Sequence, residues 1–289
     1  MHAWAGLVLS LILVVLGVSG TLLVFESDYL RATIPASRQA IDYDASNIGA
    51  AVEKIERQAR AADSDISYVT LAQDNLALHR VDFQDGGAAY TDQSGNIVKN
   101  WGENGSIEDW IFKLHHYLFL GNTGKNIAGV AGFAALVMVM TGLIIVMPFL
   151  RDFSWRIWPR STRRRALLGV HRDLGVLFVI PVILLTFTGA AMVFSKPVNV
   201  LLAAVTASTP VPFETPVVGS GSVDWTRAIS KASTEFPDAR LRLVSWPRAA
   251  GAPVSIRLRQ PEEWHQNGRT YVYVDPATSD VVARRDALR

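Results

Sequence analysis

The chain contains six histidines and no cysteine. Without thiols it has no disulfide, no thiolate-bound zinc, no cysteine-held iron–sulfur cluster and no cysteine nucleophile, so metal chemistry falls to imidazoles and carboxylates. Two of the histidines stand in an internal repeat. His2, Gly6, Gly20 and Phe25 match His171, Gly175, Gly189 and Phe194, giving H-x3-G-x13-G-x4-F twice at a constant offset of 169 residues. Ser19-Gly20 and Thr188-Gly189 extend the match, and Thr141-Gly142 is a third pair of the same kind. Neutral imidazole is a strong iron ligand, and helix bundles build cofactor sites from inward-facing side chains on different helices. A further pair, His115-His116, lies in an aromatic-rich stretch. His79, in an alternating segment, and His265, in a polar one, read as surface residues without a role, and Met138, Met140, Met147 and Met192 read as packing in apolar helices. No Gly-rich phosphate loop, H-E-x-x-H, G-x-S-x-G or Rossmann fingerprint is present.

The elements that carry these residues follow from composition. Of 289 residues 49% are hydrophobic and only 19% charged, and the mean hydropathy is +0.21. Residues 3–25, 126–150 and 174–195 contain no Asp, Glu, Lys or Arg, and each exceeds the roughly 20 residues needed to cross a bilayer core. This excludes an ordinary cytosolic enzyme. The runs predict transmembrane helices about 33 to 38 Å long, so histidines at opposite ends cannot share one ligand. The first run is longer than a signal-peptide core and lacks a cationic start, and is read as a retained helix.

Charge placement predicts orientation. The connection 151–173 holds seven basic and two acidic residues, including Arg151, Arg156, Arg160, Arg163, Arg164, Arg165 and Arg172, against nine basic and 15 acidic in 26–125 and 12 basic and nine acidic in 196–289. Arginines in a short loop beside a span mark the cytoplasmic side, and that explanation is preferred to nucleic-acid binding. The N-terminus is then cytoplasmic and both long polar segments lie on the opposite side.

Those segments share one order. Residues 45–61 carry Ile48, Val52, Ile55 and Ala59 at helical spacing, followed by the alternating stretches ISYVTLA and ALHRVDF and by AAYTDQSGNIV with a turn at Ser94-Gly95-Asn96. Residues 223–236 repeat the helix, followed by RLRLVSW, PVSIRLR, RTYVYVD and a turn at Pro276 to Asp280. The expectation is two small helix-then-three-strand α+β modules, 26–100 and 196–289, with an interfacial helix at 101–125. The fold class expected is a membrane protein, an α-helical transmembrane bundle with three spans present and a fourth expected. Duplication accounts for that last term, because the second copy would need its own histidine-led span beyond Arg289.

The ordered motifs resemble the PepSY-associated transmembrane family of bacterial inner-membrane proteins, which includes iron-regulated membrane proteins and siderophore reductases. The residues that carry the resemblance are His2-x3-Gly6 with Ser19-Gly20, Leu114-His115-His116-Tyr117-Leu118 with Gly121 and Gly124, His171-Arg172-x2-Gly175 with Thr188-Gly189, and Tyr271 to Pro276. The resemblance covers nearly the whole chain. It implies four spans, two periplasmic PepSY modules and b-type haems held by paired histidines. His2 and His171 would pair at the cytoplasmic haem. His115 would be the outer ligand, with His116 a possible substitute, and its usual partner would come from the fourth span. Electrons would pass from an unknown cytoplasmic donor to a ferric siderophore or other ferric chelate outside. The rival expectations are a non-redox, membrane-anchored PepSY binding or regulatory module, and a structural subunit of an iron-uptake assembly.

Overall fold

The computed structural model describes residues 2–155, 157–206, 215–247 and 249–289; Arg156 of the arginine-rich connection and the stretch 207–214 of the second polar segment lie outside the described residues. In chain order the helices are α1 (His2–Val24), α2 (Glu26–Thr33), α3 (Ala45–Ala61), α4 (Ile107–Tyr117), α5 (Gly121–Val146), α6 (Arg164–Leu177), α7 (Val179–Val193), α8 (Ser195–Thr206) and α9 (Trp225–Glu235). The strands are β1 (Ile66–Thr70), β2 (His79–Phe83), β3 (Ala88–Thr91), β4 (Ile97–Trp101), β5 (Arg240–Ser245), β6 (Val254–Arg259), β7 (Thr270–Val274) and β8 (Val281–Arg285). They divide between two compact units, a helical one of Met1–Val24 with Glu108–Pro210 and a sheet unit of Phe25–Ile107 with Val211–Arg289.

In the helical unit, Trp4–Val24 and Gly121–Arg151 are long and apolar enough to cross a membrane. Both leave most of their side chains uncovered by protein, as helices solvated by lipid do. α5 packs against both α1 and α7. A Cβ added at Gly129 would meet the Val193 side chain at 2.6 Å, so this glycine lets α7 approach α5 closely.

The run 174–195, expected as one straight span, is broken. α6 and α7 meet at Phe178 with a bend of 69°. Pro181 supplies the cause: its nitrogen has no hydrogen to give the Leu177 carbonyl four residues back, and its ring crowds that carbonyl. At the matching place in the first copy stands Ile12, and α1 is unbroken. The second half of the expected loop 151–173 is also helical, since α6 begins at Arg164. Its buried Asp173 pairs with Arg172 at 2.8 Å and accepts from Ser154 Oγ at 2.6 Å. The interfacial helix expected over 101–125 is shorter: α4 stops at Tyr117, and Leu118, Phe119 and Gly121 take positive φ values of 46°, 58° and 56° before α5.

The two polar segments meet. They form one eight-stranded antiparallel sheet in the order β4-β3-β2-β1-β5-β6-β7-β8. The equivalent strands β1 and β5 pair at its centre, Tyr68 with Ser245, Val69 with Val244 and Thr70 with Leu243. Each half contributes four strands rather than three; β8 carries Arg284 and Arg285 among only a few apolar residues and gives a weak alternating signal. One sheet face is covered by α3 and α9, whose Ile48, Val52, Ile55, Trp225 and Ile229 join Val69, Val244, Ile256 and Val272 in a single core. Asp44 and Asp224 cap the two helices alike, accepting from backbone amides of their first turns. Glu56 of α3 accepts from the indoles of Trp225 at 3.0 Å and Trp246 at 3.1 Å, and Glu53 accepts from Thr226 N at 3.1 Å. Polar groups of one half are therefore satisfied by the other.

Because the chain has no cysteine of its own, paired spin labels at Leu167→Cys and Met192→Cys, both exposed, measure the break directly. With the 69° bend their Cα separation is about 31 Å, and Pro181→Leu should lengthen it toward the roughly 37 Å of a continuous helix. An unchanged distance would show that Pro181 does not make the bend.

Candidate functional site

The helical unit repeats one small contact: a histidine laid against a Ser/Thr-Gly pair. His115 of α4 lies on α1, where its Nδ1 is 3.0 Å from the Leu16 carbonyl oxygen and 3.2 Å from Ser19 Oγ. A carbonyl only accepts, so this partner assigns the proton to Nδ1. The Ser19 hydroxyl is already donating to the Val15 carbonyl at 2.6 Å, which leaves its oxygen to accept from the imidazole. Gly20 makes the room, since a Cβ there would lie 2.8 Å from His115 Cε1.

His2 repeats the arrangement against α5. Its Nδ1 is 3.2 Å from Thr141 Oγ1, and the Thr141 hydroxyl donates to the Met138 carbonyl at 3.0 Å. The fit over Gly142 is looser, with a Cβ there 3.5 Å from His2 Cε1. In both cases Nδ1–H is engaged by an oxygen and the lone pair remains on Nε2. That is how metal-ligating histidines are held, with the second nitrogen fixing tautomer and ring orientation.

The other two candidates are placed differently. His116 is exposed, tilted against Phe112 with ring centroids 4.2 Å apart and edge-on to His115 at 5.2 Å. His171, on α6, is exposed, and no described residue hydrogen-bonds to it; Gly175 and Gly189 have nothing within 4 Å of where a Cβ would stand. The structure thus brings His115 and His116 together and keeps His2 and His171 out of ring contact. Along α1, His2 and the Gly20 notch are about 27 Å apart, so the two held imidazoles define separate levels.

The donor set discriminates among metal groups. Among the described residues, no three His, Asp or Glu side chains converge as a bare ion requires. A single imidazole with a free Nε2 suits the axial position of a planar macrocycle that supplies its own remaining ligands. One turn from His2, an apolar groove of about 530 Å³ runs between α1 and α5, lined by Ala5, Val8 and Ile12 on one side and Phe133, Val137 and Met138 on the other. The donor chemistry of the described residues fits a haem.

Comparison with known proteins bears on the same unit. The family described as the PepSY-associated TM region matches residues 1–228, from α1 into α9. The chain belongs to the PepSY-associated TM family. Together with helices able to span a bilayer, this makes it a membrane protein. Among curated proteins none matches the chain.

One histidine of the sheet unit departs from expectation. His79, read from sequence as a surface residue, is only 2% exposed, because β2 points it to the helix-covered side of the sheet. The backbone amide of Ala72 donates to its Nδ1 at 3.0 Å, which is the opposite tautomer to His115 and leaves no lone pair for a metal on Nε2. Burial pushes its pKa down to about 4. His265 is exposed, as expected. What sequence reading missed was the role of Ser19 and Thr141; the recurrence of a hydroxyl residue before glycine was the available signal.

A histidine whose folded pKa is depressed binds fewer protons than its unfolded counterpart below about pH 6.5. Stability should therefore fall as pH drops from 6.5 toward 4, by about 1.4 kcal/mol per pH unit and about 3 kcal/mol in total. Denaturant unfolding followed by tryptophan emission reads this slope, and His79→Gln should flatten it; an unchanged slope in the variant would assign the acid sensitivity to other groups.

Proposed function

We propose that the protein is a haem b-containing inner-membrane electron-transfer protein that delivers electrons to a ferric siderophore or another ferric chelate on the periplasmic face. The observation that carries this reading is the matched pair of imidazoles, His2 and His115, each with Nδ1–H engaged and Nε2 available, at levels about 27 Å apart along α1. Haem bound there would supply a one-electron Fe(III)/Fe(II) couple.

The chain's own contribution is to hold and bury. Thr141 and the Leu16 carbonyl orient the two imidazoles, and their hydrogen bonds raise ligand basicity. Apolar side chains of α1 and α5 exclude water, which together with ligand identity sets the potential of a haem. His171, on the equivalent repeat position, is the candidate second ligand at the His2 level, and His116 is the substitute ligand for His115 at the other level.

Topology supports the assignment of sides. β1 and β5 are hydrogen-bonded, so both polar segments must occupy one side of the membrane. Between them lie α5, which is long enough to cross, and the bent α6–α7 pair, which must then return the chain as a single broken span. The arginine-rich connection falls on the far side, which the positive-inside rule assigns to the cytoplasm.

Full-length protein from haem-replete cells should show a Soret band and a sharp reduced α-band, and His2→Ala and His115→Ala should each lower the haem content per chain by pyridine haemochrome assay. A folded but colourless protein would sink the reading. The two notches should respond unequally to an added methyl. Gly20→Ala, which forces the His115 ring aside, should shift the reduced spectrum or lower haem content, whereas Gly142→Ala leaves His2 in ordinary contact and should change neither. Equal effects of the two would remove the hydrogen-bonded geometry from the explanation.

A further inference from the structure

The sheet face turned away from α3 and α9 carries a concentration of arginine on β5 and β6. On β6, Ile256 and Leu258 enter the core, so Ser255, Arg257 and Arg259 project from the opposite face. Arg240 is the direct cross-strand partner of Arg259, and like charges so placed are destabilising. Between Leu241 and Leu243 the register shifts, and Arg242 occupies that irregularity.

Neutralisation of this cluster is incomplete. Asp74 takes Arg240 at 2.7 Å and the Tyr43 hydroxyl, and Arg240 also donates to Tyr43 Oη at 2.9 Å and lies over its ring. Arg259 donates only to the Glu263 backbone carbonyl at 3.3 Å, and Arg257 donates to the Gly268 carbonyl at 2.8 Å and lies over Tyr271. Arg242 has neither an ion pair nor a hydrogen bond to any described residue. It is 4% exposed, and its Nε is buried without a partner. Arginine stays charged in a protein, and the carboxylate that acts on this cation, Asp74, is shared with Arg240 and Tyr43, so the charge is only partly compensated and a buried donor is left over for an anion.

We propose that Arg242, with Arg240 and Arg259 around it, is a binding site for a multiply charged carboxylate anion. The register sets Arg240 opposite Arg259 with Arg242 in the adjoining bulge, and Asp74, the carboxylate that pairs with this group, is already engaged by Tyr43 and Arg240. A guanidinium fork matches a carboxylate bidentately, and a bidentate ligand would take up the unused N–H groups of Arg242. The Tyr43 ring beneath Arg240 adds an apolar surface beside the site, which suits a carboxylate held on a compact organic frame. The site does not depend on haem. Its use as the docking point for ferric chelates of the polycarboxylate class rests on the function proposed above, and it would separate them from cationic trishydroxamate chelates, which the same arginines repel.

The test titrates the detergent-solubilised full-length protein with metal-free citrate by calorimetry, with inorganic phosphate and a cationic ferric trishydroxamate as comparison probes. Citrate should bind, phosphate should compete only weakly, and the trishydroxamate should not bind at this site. Arg242→Met should weaken citrate about ten-fold or more while melting no lower than the parent protein in the absence of citrate, because it removes a buried donor that has no partner. Arg259→Met, at a less buried position, should weaken citrate with the fold unaffected. No citrate binding by the parent protein, equal binding by both variants, or a markedly lower melting temperature of citrate-free Arg242→Met would overturn the proposal. Metal-free citrate needs no electron, so a colourless protein that binds citrate through Arg242 would refute the haem reading and leave the anion site standing.

Discussion

Three residue pairs between β1 and β5 hold the architecture together. Each half-sheet alone would end in an unpaired strand, with exposed backbone donors and acceptors, and would have a small core under a single helix. Antiparallel pairing of the equivalent strands removes both edges at once and sets α3 beside α9, where Gly49 allows a Cβ-less approach to Thr226. The pairing acts beyond the sheet. Since it ties residues separated by α5, α6 and α7, the chain between the two halves must return to the side that it left, which in a bilayer takes an even number of crossings.

Duplication explains the likenesses in the molecule, and small local differences explain its asymmetry. The two halves share aspartate caps, helix-on-sheet packing and the histidine-glycine spacing, but Pro181 stands where the first copy has Ile12. One proline therefore divides a span that its counterpart traverses unbroken, and it redirects the helix that carries His171. His2 finds Thr141 on a neighbouring helix, whereas His171 meets no described partner. Equivalent positions in a sequence repeat need not be equivalent in environment.

Polar groups in the two units are used in contrasting ways. Glu56 is bracketed by two indole N–H groups and Arg60, and it links the halves of the sheet without an unpaired charge. His79 is held neutral by burial. Arg242 is the exception, a cation whose Nε is buried without a partner and whose nearby carboxylate, Asp74, is shared with Arg240. In the helical unit the polar atoms are hydroxyls that return one hydrogen bond to their own helix and offer the oxygen to an imidazole, which satisfies both partners in a medium that offers no water.

The sequence by itself determined the membrane character, the helical repeat, the two polar segments and the histidines worth attention, because charge exclusion over more than 20 residues and recurrence at a fixed offset are one-dimensional signals. It located the strands ISYVTLA, PVSIRLR and RTYVYVD through their alternation, but not the arginine-bearing β8. Tertiary structure decided which of these signals meet. Whether two half-sheets fuse, whether an alternating strand turns His79 inward, and which nitrogen of His115 keeps its lone pair all depend on partners distant along the chain. His115 acquires its meaning from Leu16, Ser19 and Gly20, and Arg242 from Asp74 being already engaged. Spacing in a chain records local geometry, and only folding brings the distant hydrogen-bond acceptor or the missing counter-charge into view.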